Sequence, residues 1–207
     1  MPARSLTTVV FDLGGVLIDW NPRYLYKKLI SDPAKMESFL TTVVGHDWNA
    51  SFDAGRPFKE GVEQLARDYP EHADLIAAYH SRWPEMLGES IDGTVEILEQ
   101  LAREKRYRLL ALSNWSAETF HHALDRFDFL KLFETILVSG REKLIKPDAK
   151  FYQLLKTRHG VDFKEAVFID DVQKNIDAAK ALGFKTVRFE APSQLRQELT
   201  SLGVRLG

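Results

Sequence analysis

Thr7-Thr8-Val9-Val10-Phe11-Asp12-Leu13-Gly14-Gly15-Val16-Leu17 decides how the rest of this chain is read. Residues 7–11 are a short apolar run, rich in β-branched side chains, that stops at an acid. Buried parallel strands read as such continuous runs, and ligands bind just beyond their carboxyl ends. The stretch therefore predicts a strand with Asp12 at its mouth. Gly14 and Gly15 let backbone N–H groups approach a ligand that side chains would hold away. Asp19 closes the segment.

Four further runs resemble the first. Residues 107–112 end at Ser113-Asn114, 135–138 at Ser139-Gly140, 166–169 at Asp170-Asp171, and 184–187 at Arg188. Helical apolar spacing lies between them, at 95–101, 117–130, 150–157 and 172–182, with a last helix expected from about Ser193. Gly183 suits the position just past a helix C-terminus. Strands alternating with helices predict a mainly parallel, five-stranded α/β sheet with right-handed crossovers. Residues 21–88 break this rhythm. Helical patterns at 22–30, 33–44, 58–69 and 72–82 predict a four-helix insertion with no strand. The catalytic core is accordingly expected at 1–20 and 89–207.

Composition narrows the possibilities. The chain has 207 residues, 44% hydrophobic and 28% charged, with net charge −2. That is ordinary for a soluble globular protein. No basic stripe argues for nucleic acid, and no apolar run reaches a membrane span. Without cysteine there is no disulfide, thiol catalysis or thiolate metal site. A cytoplasmic protein without a signal peptide is expected, as a monomer or homodimer.

A parallel sheet places its strand ends on one edge, so Asp12, Ser113-Asn114 and Asp170-Asp171 should converge there. Lys146 follows the third strand and joins them. A carboxylate, a hydroxyl, a fixed cation and an acid pair suit a phosphoryl group with Mg²⁺, which one or two carboxylates typically hold.

With these residues in place, the chain resembles the haloacid dehalogenase-like (HAD) hydrolase superfamily. The matching motifs are Phe11-Asp12-Leu13-Gly14-Gly15-Val16-Leu17, Leu112-Ser113-Asn114, Ile145-Lys146-Pro147-Asp148, and Phe168-Ile169-Asp170-Asp171 with Asn175. They stand in family order across nearly the whole chain. The resemblance implies a Rossmann-like core and, at 21–88, the small helical cap of that family. It implies that Asp12 attacks phosphorus to give an aspartyl-phosphate. Mg²⁺ would bind Asp12, the carbonyl of Gly14, and one or both of Asp170 and Asp171. Ser113 and Asn114 would contact the phosphoryl group, and Lys146 would balance its charge. Asn175 would steady the acidic loop.

One position departs from the pattern. Most HAD phosphatases carry Asp two residues after the nucleophile, as a general acid and base; here Gly14 stands there. Asp19 and Asp53 are the candidate replacements, although Asp19 reads more simply as a surface-loop acid. Trp20, Trp48, Phe52 and Trp83 read as core aromatics, with Trp48 and Asp53 on a helix–helix connection. The 2-haloacid dehalogenase branch also lacks the second acid, but it uses no metal and replaces the final acid pair by uncharged residues. The chain keeps Asp170-Asp171, and Val16 stands where a dehalogenase has Thr. The motifs are closest to the sugar-phosphate, including glucose 1-phosphate, phosphatase branch. A phosphate-binding regulatory protein with impaired turnover is the remaining alternative.

Overall fold

The computed structural model describes residues 5–206. The N-terminal Met1-Pro2-Ala3-Arg4, where a leader peptide was not expected, lies outside the described residues. The first strand, β1 (Thr8–Phe11), is buried throughout. After the Asp12 loop the chain forms β2 (Ile18–Trp20) and enters a helical segment. Its helices are α1 (Arg23–Tyr26), α2 (Pro33–Thr42), α3 (His46–Asp53), α4 (Phe58–Asp68) and α5 (Ala73–Ser81). The chain returns through β3 (Leu87–Ser90), antiparallel to β2.

Two expectations fail here. The segment holds five helices, not four, because 46–53 is helical where a connection was expected. Its apolar face, Trp48 and Phe52, is spaced by four residues, too brief a pattern to stand out in the sequence. The segment also ends in a strand: 87–88 belong to β3, whose pairing with β2, Ile18 to Ser90 and Trp20 to Leu87, leaves no local signal.

The remaining elements alternate as the sequence implies. They are α6 (Asp92–Glu104), β4 (Arg108–Ser113), α7 (Phe120–Arg126), β5 (Thr135–Val138), α8 (Ser139–Glu142), α9 (Ala149–His159), β6 (Ala166–Asp170), α10 (Gln173–Leu182), β7 (Lys185–Arg188) and α11 (Pro192–Ser201). The helix expected over 117–130 is shorter: Phe127 turns extended and ends α7. Helix α9 shows why the ends fall where they do. The Asp148 carboxylate accepts the N–H of Lys150 at its start, and Gly160 takes left-handed φ at its end.

The five parallel strands run β5-β4-β1-β6-β7, with β1 central. Side chains alternate across the sheet. Val9, Phe11, Ala111, Val167 and Ile169 join one core, while Val10, Leu110, Leu112 and Phe168 join another beneath α9 and α10. Both faces are therefore covered, which is what an apolar run without alternation requires. The register pairs Phe11 with Ala111 and with Ile169. Asp12, Ser113 and Asp170 consequently emerge together. The five helices of 23–81 pack around Tyr26, Phe39, Phe52, Phe58 and Tyr79, with the Phe52 and Phe58 rings stacked at 4.1 Å. Among the described residues no helix is long and apolar enough to cross a membrane.

Candidate active site

A cavity of about 300 Å³ opens at the carboxyl edge of the sheet, between the helical segment and the α/β core. Its floor carries Asp12, Lys146 and Asp171, and its walls carry Trp20, Phe58, Trp83 and Trp115.

Lys146 organises the floor. Its Nζ lies 2.8 Å from Asp12 Oδ2 and 2.7 Å from Asp170 Oδ2, and its side chain has no solvent exposure. Asn114 holds the lysine backbone from both sides. Its Oδ1 accepts the Lys146 N–H at 2.8 Å, and its Nδ2 donates to the Lys146 carbonyl at 3.0 Å. Asn114 was expected to touch substrate. It lines the cavity, but its amide is spent on placing Lys146.

The two acids of the last motif differ sharply. Asp170 Oδ1 accepts the Val172 N–H at 2.8 Å, Oδ2 accepts Lys146, and Asn175 Nδ2 donates to both oxygens at 3.0 and 3.1 Å. Asn175 thus ties the start of α10 to Asp170. Asp171 lines the cavity and rests on Gly15, where an added Cβ would lie 2.5 Å from Asp171 Oδ2. Gly15 also has φ +75°, so two requirements exclude a side chain there.

The ligand atoms of Asp12, Asp170 and Asp171 lie within 4.8 Å of one another. Burial pushes the Asp12 carboxyl well above its usual range. Lys146 opposes this, and Asp170 and Asp171 add to it. Burial and then Asp170 raise Asp171 likewise. Burial would pull the Lys146 ammonium down, but Asp12 and Asp170 outweigh it and hold it charged. Three carboxylates against one ammonium leave two negative charges over, so this donor set fits a divalent cation.

Four buried donors on or beside the cavity have no partner among the described residues. They are the Ser113 hydroxyl, at the end of β4, the Thr119 hydroxyl, and the indole N–H groups of Trp20 and Trp115. An orphaned buried donor costs about 1–3 kcal/mol, which an acceptor on a ligand would recover.

The candidate replacements for the missing acid separate clearly. Asp19 faces Tyr24, whose hydroxyl donates to it, and the Gly88 backbone; it does not line the cavity. Asp53 does line it, from the end of α3. Trp48 faces the helical core instead, with its Nε1 donating to the Gly61 carbonyl at 3.3 Å. Gly14 adjoins the site with nothing within 4 Å of where a Cβ would stand. Trp115, Asn49 and the Ser116 backbone were missed from sequence. Asn49 and Asp53 are four apart, a visible pair only once 46–53 is known to be helical.

The geometry can be set beside known proteins. The chain is 25% identical over 180 residues to sesquiterpene phosphatase astK of Aspergillus oryzae, covering 86% of this chain and 87% of that protein. It is 25% identical over 194 residues to a phosphorylated carbohydrates phosphatase of Thermotoga maritima, covering 88% and 84%. It matches drimenol cyclase drtB of Aspergillus calidoustus at 24% over 196 residues, but spans only 36% of that protein's length. The fold is that of a HAD family enzyme from Bacteroides thetaiotaomicron, crystallised with magnesium and inorganic phosphate. The TM-score is 0.69 at 21% identity, covering 90% of this chain and 95% of that one. The sequence profile of the haloacid dehalogenase-like hydrolases matches residues 9–189, and the chain belongs to that family.

Proposed function

We infer that this protein is a Mg²⁺-dependent phosphatase of small phosphomonoesters that works through an aspartyl-phosphate on Asp12. The observation that carries this reading is the charge imbalance at the sheet edge. Three carboxylates surround one lysine, and Asp171 is left with oxygens not committed to that lysine. A metal-free dehalogenase has no use for such a surplus. Phosphatases among the relatives and a magnesium–phosphate complex in the same fold agree with it.

Asp12, the Gly14 carbonyl and Asp171 would hold the cation, with Asp170 reserved for Lys146 and Asn175. Bound there, Mg²⁺ supplies positive charge that keeps the carboxylates ionised and screens the phosphoryl oxygens. The remaining work falls to the chain. Lys146 holds Asp12 in place and ionised. The Asp12 carboxylate forms a bond to phosphorus as the ester P–O bond breaks and the alcohol departs. The Ser113 hydroxyl donates to a phosphoryl oxygen. Water then attacks phosphorus, the bond to Asp12 breaks, and inorganic phosphate leaves. The helical segment 21–88 acts as a cap that excludes bulk water from the cavity. Its aromatic walls and the indole donors of Trp20 and Trp115 suit a compact body carrying oxygen acceptors, such as a sugar phosphate.

The test measures phosphate release from generic and sugar phosphates, with Mg²⁺ and with EDTA, beside chloride release from 2-chloropropionate. Phosphate release that EDTA abolishes is the expected outcome. EDTA-insensitive chloride release overturns the reading. The division between the two final acids gives a sharper check. Asp171→Asn should weaken Mg²⁺ at least about tenfold, read as the Mg²⁺ concentration that half-restores activity. Asp170→Asn should instead lower the melting temperature of the metal-free protein, because an amide cannot accept from Lys146, Val172 and Asn175 together as the Asp170 carboxylate does.

A further inference from the structure

Phosphoryl transfer to Asp12 expels an alkoxide, and for ordinary alcohols that step needs a proton. Gly14 has no group to give one. The titratable side chains lining the cavity are Asp12, Asp171, Lys146, His46, Lys174 and Asp53. Asp12 and Asp171 belong to the nucleophile and cation group, and Lys146 is held by two ion pairs. His46 and Lys174 are exposed at the rim. Asp53 alone is half-buried and unassigned.

We propose that Asp53, carried into the cavity on α3, is the general acid and base of the reaction, in place of the acid absent at Gly14. The assignment rests on the phosphatase reading and adds the residue that moves the proton.

The surroundings of Asp53 are built to hold a carboxyl in one place. The backbone N–H of Ser116, after β4, lies close enough to the Asp53 carboxyl to favour its charged form. Asn49, one turn earlier on α3, points its Nδ2 at Asp53 Oδ2, 3.4 Å away. The Asn49 amide is oriented by the buried Tyr79 on α5, whose hydroxyl donates to Asn49 Oδ1 at 2.7 Å. Asp53 is thus steadied by its own helix and by the core, with part of its surface left on the cavity.

Burial pushes the Asp53 carboxyl up to about 7, although Lys146 and the Ser116 N–H pull the other way. Tyr79 is the further titratable group beside it, and burial holds its phenol neutral. Both forms of Asp53 are therefore present near neutral pH, where a group that must give and then take a proton works best. In the first step the Asp53 O–H proton passes to the ester oxygen as its bond to phosphorus breaks. The products are the alcohol, the Asp12 aspartyl-phosphate and the Asp53 carboxylate. In the second, that carboxylate takes a proton from water as the water oxygen bonds to phosphorus and the bond to Asp12 breaks. Phosphate is released and Asp53 is protonated again. Because the acid arrives on α3, proton transfer requires the helical segment to be seated on the core.

The experiment is a leaving-group series on the Mg²⁺-loaded protein, from p-nitrophenyl phosphate to alkyl phosphates. Wild-type rates should depend only weakly on leaving-group basicity, because the oxygen departs protonated. Asp53→Asn, which keeps an acceptor for the Ser116 N–H, should cost about 10²–10⁴-fold on alkyl esters, with the loss shrinking steadily toward the nitrophenyl ester. Gly14→Asp in the Asp53→Asn background should restore part of the alkyl-ester rate, since the Gly14 position has room for a side chain. An equal loss on every ester, no loss, or a steep dependence already in the wild type overturns the assignment while leaving the phosphatase reading standing. Failure of the wild type to release phosphate from any ester overturns both.

Discussion

Asp12→Asn should abolish turnover, by at least about 10⁴-fold, while the protein folds normally. The amide has nearly the shape of the carboxylate but is no nucleophile, and no second acid follows at Gly14. The same substitution should make the metal-free protein more stable at neutral and higher pH. Burial raises the folded-state pKa of Asp12 above its unfolded value, so its contribution to stability is present below the unfolded pKa. That contribution is lost as pH rises through the folded pKa. An amide does not titrate and escapes this loss. Denaturant titrations of both proteins in EDTA, at about pH 5 and about pH 8, should diverge at the higher pH only. Added Mg²⁺ should narrow the gap by stabilising the wild type more. Equal stability at both pH values would show that Lys146 already compensates Asp12 in full.

Lys146→Met should cost more in stability than any other single change at the site, about 3–5 kcal/mol. The ammonium is fully enclosed and pairs with Asp12 and Asp170 at once. Methionine matches much of its length and leaves two buried carboxylates facing each other. Asp12, already pushed up by burial and by Asp170, must then be protonated to stay buried, which raises its folded-state pKa further. The sign follows directly: the variant should approach wild-type stability in acid and lose it as pH rises toward neutrality. Urea midpoints across that range measure the effect, and a pH-independent deficit would point to lost packing alone. Activity should fall with it, since the lysine that keeps Asp12 ionised and placed is gone.

Much of this arrangement was legible in the sequence. A strand buried on both faces must be apolar at every position, so Thr8–Phe11 announced itself without its neighbours. Parallel topology then forced Asp12, Ser113, Lys146 and the Asp170-Asp171 pair to one edge, whatever the details of packing. The roles within that edge were not legible. Asp170 and Asp171 are chemically identical in the sequence, and only the hydrogen bonds from Val172, Lys146 and Asn175 tell them apart. Asn114 reads as a ligand for substrate until its amide is seen on the Lys146 backbone.

The helical segment marks the same boundary. Its existence followed from a break in the strand–helix rhythm, but α3 and β3 did not, because both depend on partners distant in sequence. That gap mattered most for Asp19 and Asp53, two acids equally eligible on paper. Local sequence determined that the chain would be an α/β hydrolase with Asp12 at its centre and no acid at Gly14. Only tertiary structure decided which distant carboxyl reaches the cavity, because burial and the approach of Ser116, Asn49 and Lys146 are properties of the folded interior. They gave Asp53 a place on the cavity and left Asp19 against Tyr24.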